Sequence, residues 1–349
     1  MVNMKIQENI PIAPYTTFRI GGPARFFCIV KSEDDLLQAI RFARENTLPY
    51  LVIGGGSNLL FSDEGYHGLV IKNEIMGKTF TDDGTLYSVV DVSAGEDWEE
   101  FVAETVERDL FGIENLSAIP GKVGAAPVQN IGAYGTEVGK VIESVRVLDT
   151  SHANDLKFID LSFVDCKFSY RDSIFKHDKS RYIVTRVRFR LCKQGEVNIE
   201  YKDVKKYFAD KGIEKSVIGL KDVRAAVIEI RKNKLPDWTK WGTAGSFFKN
   251  PIISSAEFES LKVKFPDLNG FIEIDGRIKI PLSYVLDKIC NKKGLFKGNV
   301  GTYDKQALVV VTKLGATAKE VVDFTRELID CVYENIGVKI EAEVEWVAV

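Results

Sequence analysis

Ile119-Pro120-Gly121-Lys122-Val123-Gly124-Ala125-Ala126-Pro127-Val128-Gln129-Asn130-Ile131-Gly132-Ala133-Tyr134-Gly135 is the stretch on which the fold reading turns. A run so rich in small residues packs poorly by itself. It makes physical sense where backbone approaches a ligand or another backbone closely. A second such segment lies upstream. The short apolar run Leu51-Val52-Ile53 reads as a buried strand that enters the tight loop Gly54-Gly55-Gly56-Ser57-Asn58. Bare amides in a nest of glycines bind anionic oxygens without side-chain obstruction. The order matches neither the dinucleotide fingerprint GxGxxG nor a P-loop. The two loops suit either a pair of structural turns or one long ligand whose pyrophosphate meets backbone N–H groups. A flavin dinucleotide is long enough to need both.

Outward from these loops the pattern alternates between strand and helix. Phe26, Phe27, Ile29 and Val30 read as strand. Ser32 then stands three before Asp35, a cap and its acid, and Leu36, Leu37, Ile40 and Ala43 recur at helical spacing. Val70-Ile71 and Leu86 to Val92 read as strands, and Trp98, Phe101, Val102, Val106 and Leu110 predict one helical face. Val187, Phe189 and Leu191 alternate with Arg186, Arg188 and Arg190, a half-exposed strand with a solvated basic face. Ser254 before Glu257 and Thr317 before Glu320 predict two more capped helices, the second with Val321, Val322, Phe324, Leu328, Ile329 and Val332 as its apolar face. Residues 18–80 make a small α+β or α/β unit.

The chain has 349 residues, and a typical domain of ~150 residues makes that two or three domains. Lys+Arg number 47 against 50 Asp+Glu, a net charge of −3, and 45% of residues are hydrophobic. These values exclude generic disorder and a small disulfide scaffold. They argue against a basic nucleic-acid binder, while an anionic ligand needs only a local positive site. No apolar run suits a signal peptide or a membrane span. The five cysteines contain no CxxC and read as reduced thiols. His67, His152 and His177 form no ligand spacing, so no metal is expected.

Three further segments carry chemistry. Phe168-Ser169-Tyr170-Arg171-Asp172-Ser173 sets an arginine in a polar turn. It either pairs with an acid such as Asp172 or faces negative charge developing on a substrate oxygen. Gly242 to Pro251 places Ser246 between small residues and an aromatic pair. It is no hydrolase elbow, but a hydroxyl can serve as a proton donor without a triad, or merely cap a turn. At the end, Ile340, Ala342, Val344 and Trp346 alternate with Glu341, Glu343 and Glu345, which predicts a strand with three carboxylates on one face. That face is either solvent-facing or relieved by a cation or a shared proton.

Seven segments, in order and spanning nearly the whole chain, resemble the UDP-N-acetylenolpyruvoylglucosamine reductases, the MurB family. They are Tyr15–Gly22, Gly54–Leu59, Ile119–Gly135, Phe168–Phe175, Gly245–Pro251, Gln306–Val309 and Glu341–Val344. The resemblance implies a two-part FAD-binding fold of the vanillyl-alcohol oxidase/MurB type with an additional α+β substrate-binding domain. The first FAD-binding part would be 1–79. The second would be 80–232, completed by 335–349, and the substrate-binding domain would be 233–334.

It also implies noncovalent FAD held by Gly54, Gly55, Gly56, Ser57, Asn58, Gly121, Gly124, Ala125, Gln129, Asn130 and Gly132, with NADPH as electron donor. Arg171, Ser246 and Glu343 carry over as catalytic. Tyr201, Lys234, Asn250 and Gln306 carry over as substrate-binding, with Tyr201 on the closing loop of the type I form. Glu343 is expected to be buried near a cation or to hold a proton, because a bare carboxylate there would oppose the reaction. The implied partner is a small nucleotide-sugar in the cytoplasm, with no nucleic acid, no membrane insertion and a monomeric state. Ala342 and Ile280–Tyr284 depart from the family pattern, which often has Pro and a Gly-Trp pair there. Another flavoprotein on the same scaffold, or a nucleotide-sugar sensor without chemistry, would share some of these features.

Overall fold

Local signals set the first elements. Ser32 accepts the Asp35 N–H and starts helix α1, Glu33–Glu45, whose Leu36, Ala39, Ile40 and Ala43 are buried. The structure is a computed structural model that describes residues 4–82, 84–151, 155–178 and 181–348; His152 lies outside the described residues. The chain forms two compact units. The first comprises Met1–Ile10, Ala24–Gly55 and His67–Lys232, and the second Pro11–Pro23, Gly56–Tyr66 and Asn233–Val349.

In the first unit, four strands lie in the order Gln7–Pro11, Pro23–Val30, Tyr66–Asn73 and Tyr50–Ile53. The last two run parallel, with Leu51 opposite Val70. A five-stranded sheet follows in the order Lys157–Ser162, Ile142–Asp149, Tyr182–Cys192, Tyr87–Ser93 and Lys78–Asp82, antiparallel throughout. Helix α2, Trp98–Glu107, packs Trp98 and Phe101 against Phe189 of that sheet. It ends before Leu110, because Asp109 turns left-handed at φ 56°; Leu110 is buried all the same. Leu148 and Ile183 share a core with Leu36, Ile40, Leu69 and Ile71, so the two sheets are packed as one body. Glu33 fastens that seam through Arg146 at 2.9 Å and Thr185 at 2.8 Å. Burial pushes its carboxyl up, but the Arg146 and Thr185 hydrogen bonds outweigh it and hold the group below its usual range. In Tyr182–Cys192 the arginines at 186, 188 and 190 are exposed and Val187, Phe189 and Leu191 buried, as the alternation predicts. Arg188 pairs with Asp91 at 2.9 Å. The short α3, Ile174–His177, precedes this strand. Helices α4, Lys202–Asp210, and α5, Leu220–Lys234, make a separate apolar cluster with Tyr134 on its flank.

The second unit holds α6, Ser255–Lys264, the single turn α7, Leu282–Tyr284, which runs into a π-helical turn at Val285–Ile289, and α8, Ala318–Ile336. Both expected capping boxes are present, Ser254 with Glu257 and Thr317 with Glu320. Val300–Tyr303 and Gln306–Thr312 pair antiparallel beneath α8. The C-terminal region differs from expectation in two ways. Only Glu345–Val347 is strand, and Trp346 is 45% exposed instead of buried. The reason is that Ile340, Val344 and Val347 supply the buried positions, and spacings of four and three are not those of a strand. Glu345–Val347 pairs parallel with Leu59–Phe61, and Ile336, Ile340 and Val344 enter the core of Phe18, Leu60, Val321 and Phe324. Among the described residues no helix is long and apolar enough to cross a membrane, and no group of three His, Cys, Asp or Glu is placed to hold a metal.

Candidate active site

In the first unit, the parallel strands Tyr50–Ile53 and Tyr66–Asn73 deliver two segments to their carboxyl ends, where open α/β sheets bind ligands. One is Gly54-Gly55. The other is Lys72 to Glu74. The glycines lie backbone to backbone against the long small-residue loop. A Cβ on Gly55 would stand 3.1 Å from the Gly121 Cα, and one on Gly54 3.2 Å from the Lys122 Cβ. The two loops that the sequence singles out therefore meet. Gly124 donates its N–H to the Ala94 carbonyl at 2.9 Å, Ala125 is exposed and Gln129 half-buried.

Asn130 has another occupation. It is buried, and its amide donates to the Ser169 carbonyl at 2.9 Å and the Glu137 carboxylate at 3.3 Å. Its Oδ1 accepts the Gly139 N–H at 2.9 Å. It thus pins the small-residue loop to the segment before Arg171. Beside these loops is a cavity of about 540 Å³ lined by Lys31, Lys72, Glu74, Met76, Gly95 and Lys122. Lys72 pairs with Glu74 at 2.7 Å and Lys122 with Asp97 at 3.6 Å. Three ammonium groups against the carboxylates of Glu74 and Asp97 leave the cavity suitable for an anionic group, and glycine amides close by suit a pyrophosphate. The residues present therefore fit a dinucleotide. Sequence reasoning gave no role to Lys31 and Lys72, two isolated lysines far apart in the chain, nor to Lys122, whose charge was passed over within the small-residue stretch.

Arg171, at φ 54°, sends its guanidinium to the Gly132 carbonyl at 2.6 Å and lies 5.3 Å from the Tyr170 ring. Asp172, the acid considered as its partner, pairs instead with His177 at 2.8 Å. Arg171 is thus fixed to the small-residue loop. Tyr201 stands before the first residue of α4, 44% exposed, with its ring 5.3 Å from that of Tyr134. Burial pushes the Tyr134 phenol up to about 12, with Arg231 opposing. Arg231 was legible only as part of a basic run. Its Nε donates to the Ala118 carbonyl at 3.1 Å, and the guanidinium also hydrogen-bonds Tyr134, so it supports both ends of the small-residue loop.

In the second unit Gly56 continues the first loop. A Cβ there would lie 2.0 Å from the Tyr15 carbonyl oxygen, so only glycine fits. Asn58, Ser246 and Glu343 are brought together by backbone. Phe247 pairs its N–H with the Leu308 carbonyl at 2.9 Å, and its carbonyl accepts the Glu343 N–H at 2.8 Å. The Asn58 amide donates to the Glu343 carbonyl at 3.0 Å, and Glu345 N–H to the Asn58 carbonyl at 3.0 Å. Ser57, Ser246 and Glu343 are each half-buried. Glu341 is exposed and pairs with Lys249 at 3.3 Å, so the three late carboxylates do not share one face equally.

Lys234 ends α5, half-buried. Asn250 Oδ1 accepts the Leu282 N–H at 3.0 Å, which anchors the turn where the chain departs from the family pattern. Gln306 Oε1 accepts the Leu308 N–H at 3.4 Å. Arg171 and Tyr201 belong to the first unit, and Ser246, Asn250, Gln306 and Glu343 to the second.

Comparison with known proteins adds three findings. A family model for a FAD binding domain matches residues 24–152, and one for the C-terminal domain of UDP-N-acetylenolpyruvoylglucosamine reductase matches 237–347. The chain is 39% identical to a Pseudomonas aeruginosa UDP-N-acetylenolpyruvoylglucosamine reductase over 98% of its own length and 99% of the relative's. It is 40% identical to one from Ralstonia nicotianae over 97% and 98%. The crystal structure of UDP-N-acetylenolpyruvylglucosamine reductase from Thermus caldophilus superposes with a TM-score of 0.67 at 25% identity, covering 99% of both chains.

Proposed function

The chain belongs to the UDP-N-acetylenolpyruvoylglucosamine reductase family, and from that premise we propose how its residues act. It is a flavoprotein oxidoreductase of peptidoglycan precursor synthesis that reduces the enolpyruvyl group of UDP-N-acetylglucosamine enolpyruvate to give UDP-N-acetylmuramate. Residues 24–152 are its FAD-binding domain. We infer NADPH as the donor, the cytoplasm as the location and a nucleotide-sugar as the only partner needed.

The observation that supports this reading best is the meeting of Gly54-Gly55 with Gly121-Lys122 beside the lysine-lined cavity. FAD held there by the glycine loops would supply the hydride chemistry between NADPH and the terminal methylene carbon of the substrate. The remaining work is the protein's. Gly54, Gly55, Gly121 and Gly132 leave backbone open to the cofactor, and Lys122 offsets phosphate charge. Gly56, Ser57 and Asn58 continue that grip, with Gly124, Ala125, Gln129 and Asn130 shaping the facing loop.

As the methylene carbon gains hydride, negative charge develops on the neighbouring carbon and spreads into the carboxylate. Arg171 neutralises it, because a guanidinium stays protonated and its fork fits a carboxylate. Ser246 supplies the proton to that carbon. Glu343 polarises the carboxylate, either holding a proton or bridged by a cation. Lys234, Asn250, Gln306 and Tyr201 bind the nucleotide-sugar.

The test is anaerobic. NADPH should bleach the yellow protein, and UDP-N-acetylglucosamine enolpyruvate should restore the colour. In Ser246→Ala the bleaching should persist while the restoration slows by about 10² to 10⁴. Colour that returns without the enol ether would point to another flavoprotein activity. A protein that never bleaches would point to a sensor.

A further inference from the structure

We infer that Asn58 is a positioning residue for Glu343, and not only part of the loop that holds the cofactor. The inference rests on the catalytic role proposed for Glu343 and deepens it. Glu343 lies between the antiparallel bridge of Ala342 with Phe248 and the regular strand that begins at Glu345. Its peptide is held from two sides. The N–H donates to the Phe247 carbonyl, one residue after Ser246, at 2.8 Å. The carbonyl accepts from the Asn58 side-chain amide at 3.0 Å. Asn58 is itself tied to the same segment, because its own carbonyl takes the Glu345 N–H at 3.0 Å, one step before Leu59 and Glu345 face each other in the parallel pair.

Asn58 therefore grips residues 343 and 345 with its side chain and its backbone together. A carboxylate that must meet one substrate group loses most of its value if its backbone drifts by an ångström. Both anchors carry information. One comes from the segment bearing the proposed proton donor, and the other from the last residue of the glycine loop. Any side chain that cannot donate at this position leaves the Glu343 carbonyl without that partner. Asp, which has the same shape, would set a carboxylate oxygen against it.

The test uses the full-length protein with FAD bound and separates this role from a cofactor contact. For Asn58→Ala and Asn58→Asp, with FAD kept saturating so that any loosening of the cofactor grip is compensated, we expect the rate of bleaching by NADPH to fall less than the rate of recovery. Recovery with the enol ether should slow by roughly 10- to 100-fold, more in Asp than in Ala. In a Glu343→Gln background, adding Asn58→Ala should slow it no further, because both changes act through one function. Asn58→Gln, which keeps the donor, should recover part of the rate. Hydrogen–deuterium exchange, read without turnover, should rise in peptides covering 341–345 and not in those covering α1.

Equal losses in both half-reactions with weakened FAD binding would overturn the inference and leave Asn58 as a cofactor residue. So would losses that multiply in the double variant, or unchanged exchange at 341–345. If Glu343→Gln alone recovers at the parent rate, the role given to Glu343 fails. The exchange result then still decides whether Asn58 holds the segment.

Discussion

At Gly55 a methyl group would be tightly placed. The added carbon would sit 3.1 Å from the Gly121 Cα, which belongs to backbone and cannot swing aside. Gly55→Ala should therefore push the two glycine-bearing loops apart, at a cost of roughly 1 to 3 kcal/mol. Read as FAD affinity in a fluorescence titration, that is about five- to a hundredfold weaker. Gly195→Ala is the control, because its methyl would meet Phe111 at an ordinary 3.5 Å and should change nothing. Gly55 was legible in the sequence as part of a glycine nest, but its neighbour was not. Composition shows that backbone must approach something; it does not say what. Asn130 shows the converse. Its place in the resemblance implies a cofactor contact, and its carboxamide has structural partners besides, in Ser169, Glu137 and Gly139, that no motif names.

Among the elements, α8 carries the clearest local signal and also a contribution from far away. Thr317 and Glu320 were readable as a capping box, since the pattern lies within four residues. The first turn has two further N–H groups, at Ala318 and Lys319. Both oxygens of Asp63 take them, at 2.7 and 2.9 Å, from 255 and 256 residues upstream. No window along the chain reveals such a pair. Asp63→Ala should remove a cap and a favourable charge at the helix N-terminus together, a loss of about 1 kcal/mol. Differential scanning calorimetry should show it as a fall of roughly 1 to 2 °C in Tm, and Asp63→Asn should keep part of the cap. The C-terminal segment fails for a related reason. Alternation over 340–346 mimics a strand, yet burial there follows long-range packing against Leu60 and α8, which periodicity does not record.

At the scale of the whole molecule, α+β character and most helix starts were legible, because caps and apolar spacing are local. The path of the chain was not. The second unit collects Pro11–Pro23 and Gly56–Tyr66 along with everything from Asn233 onward. Phe18, Ile20 and Leu60 complete its core, Leu59–Phe61 pairs with its last strand, and Thr17 donates to the Thr243 carbonyl at 2.6 Å. A gene segment encoding 233–349 alone would thus carry most of a module and none of its upstream keystones. Expressed by itself it should bind a hydrophobic dye and give a flat near-ultraviolet dichroism spectrum, whereas a sharp cooperative melt would show that the missing pieces are dispensable. Recombination between relatives faces the same geometry. A crossover after residue 232 would swap the larger part of this core while leaving its remaining walls behind, so viable chimaeras should keep the two upstream stretches and the tail from a single parent.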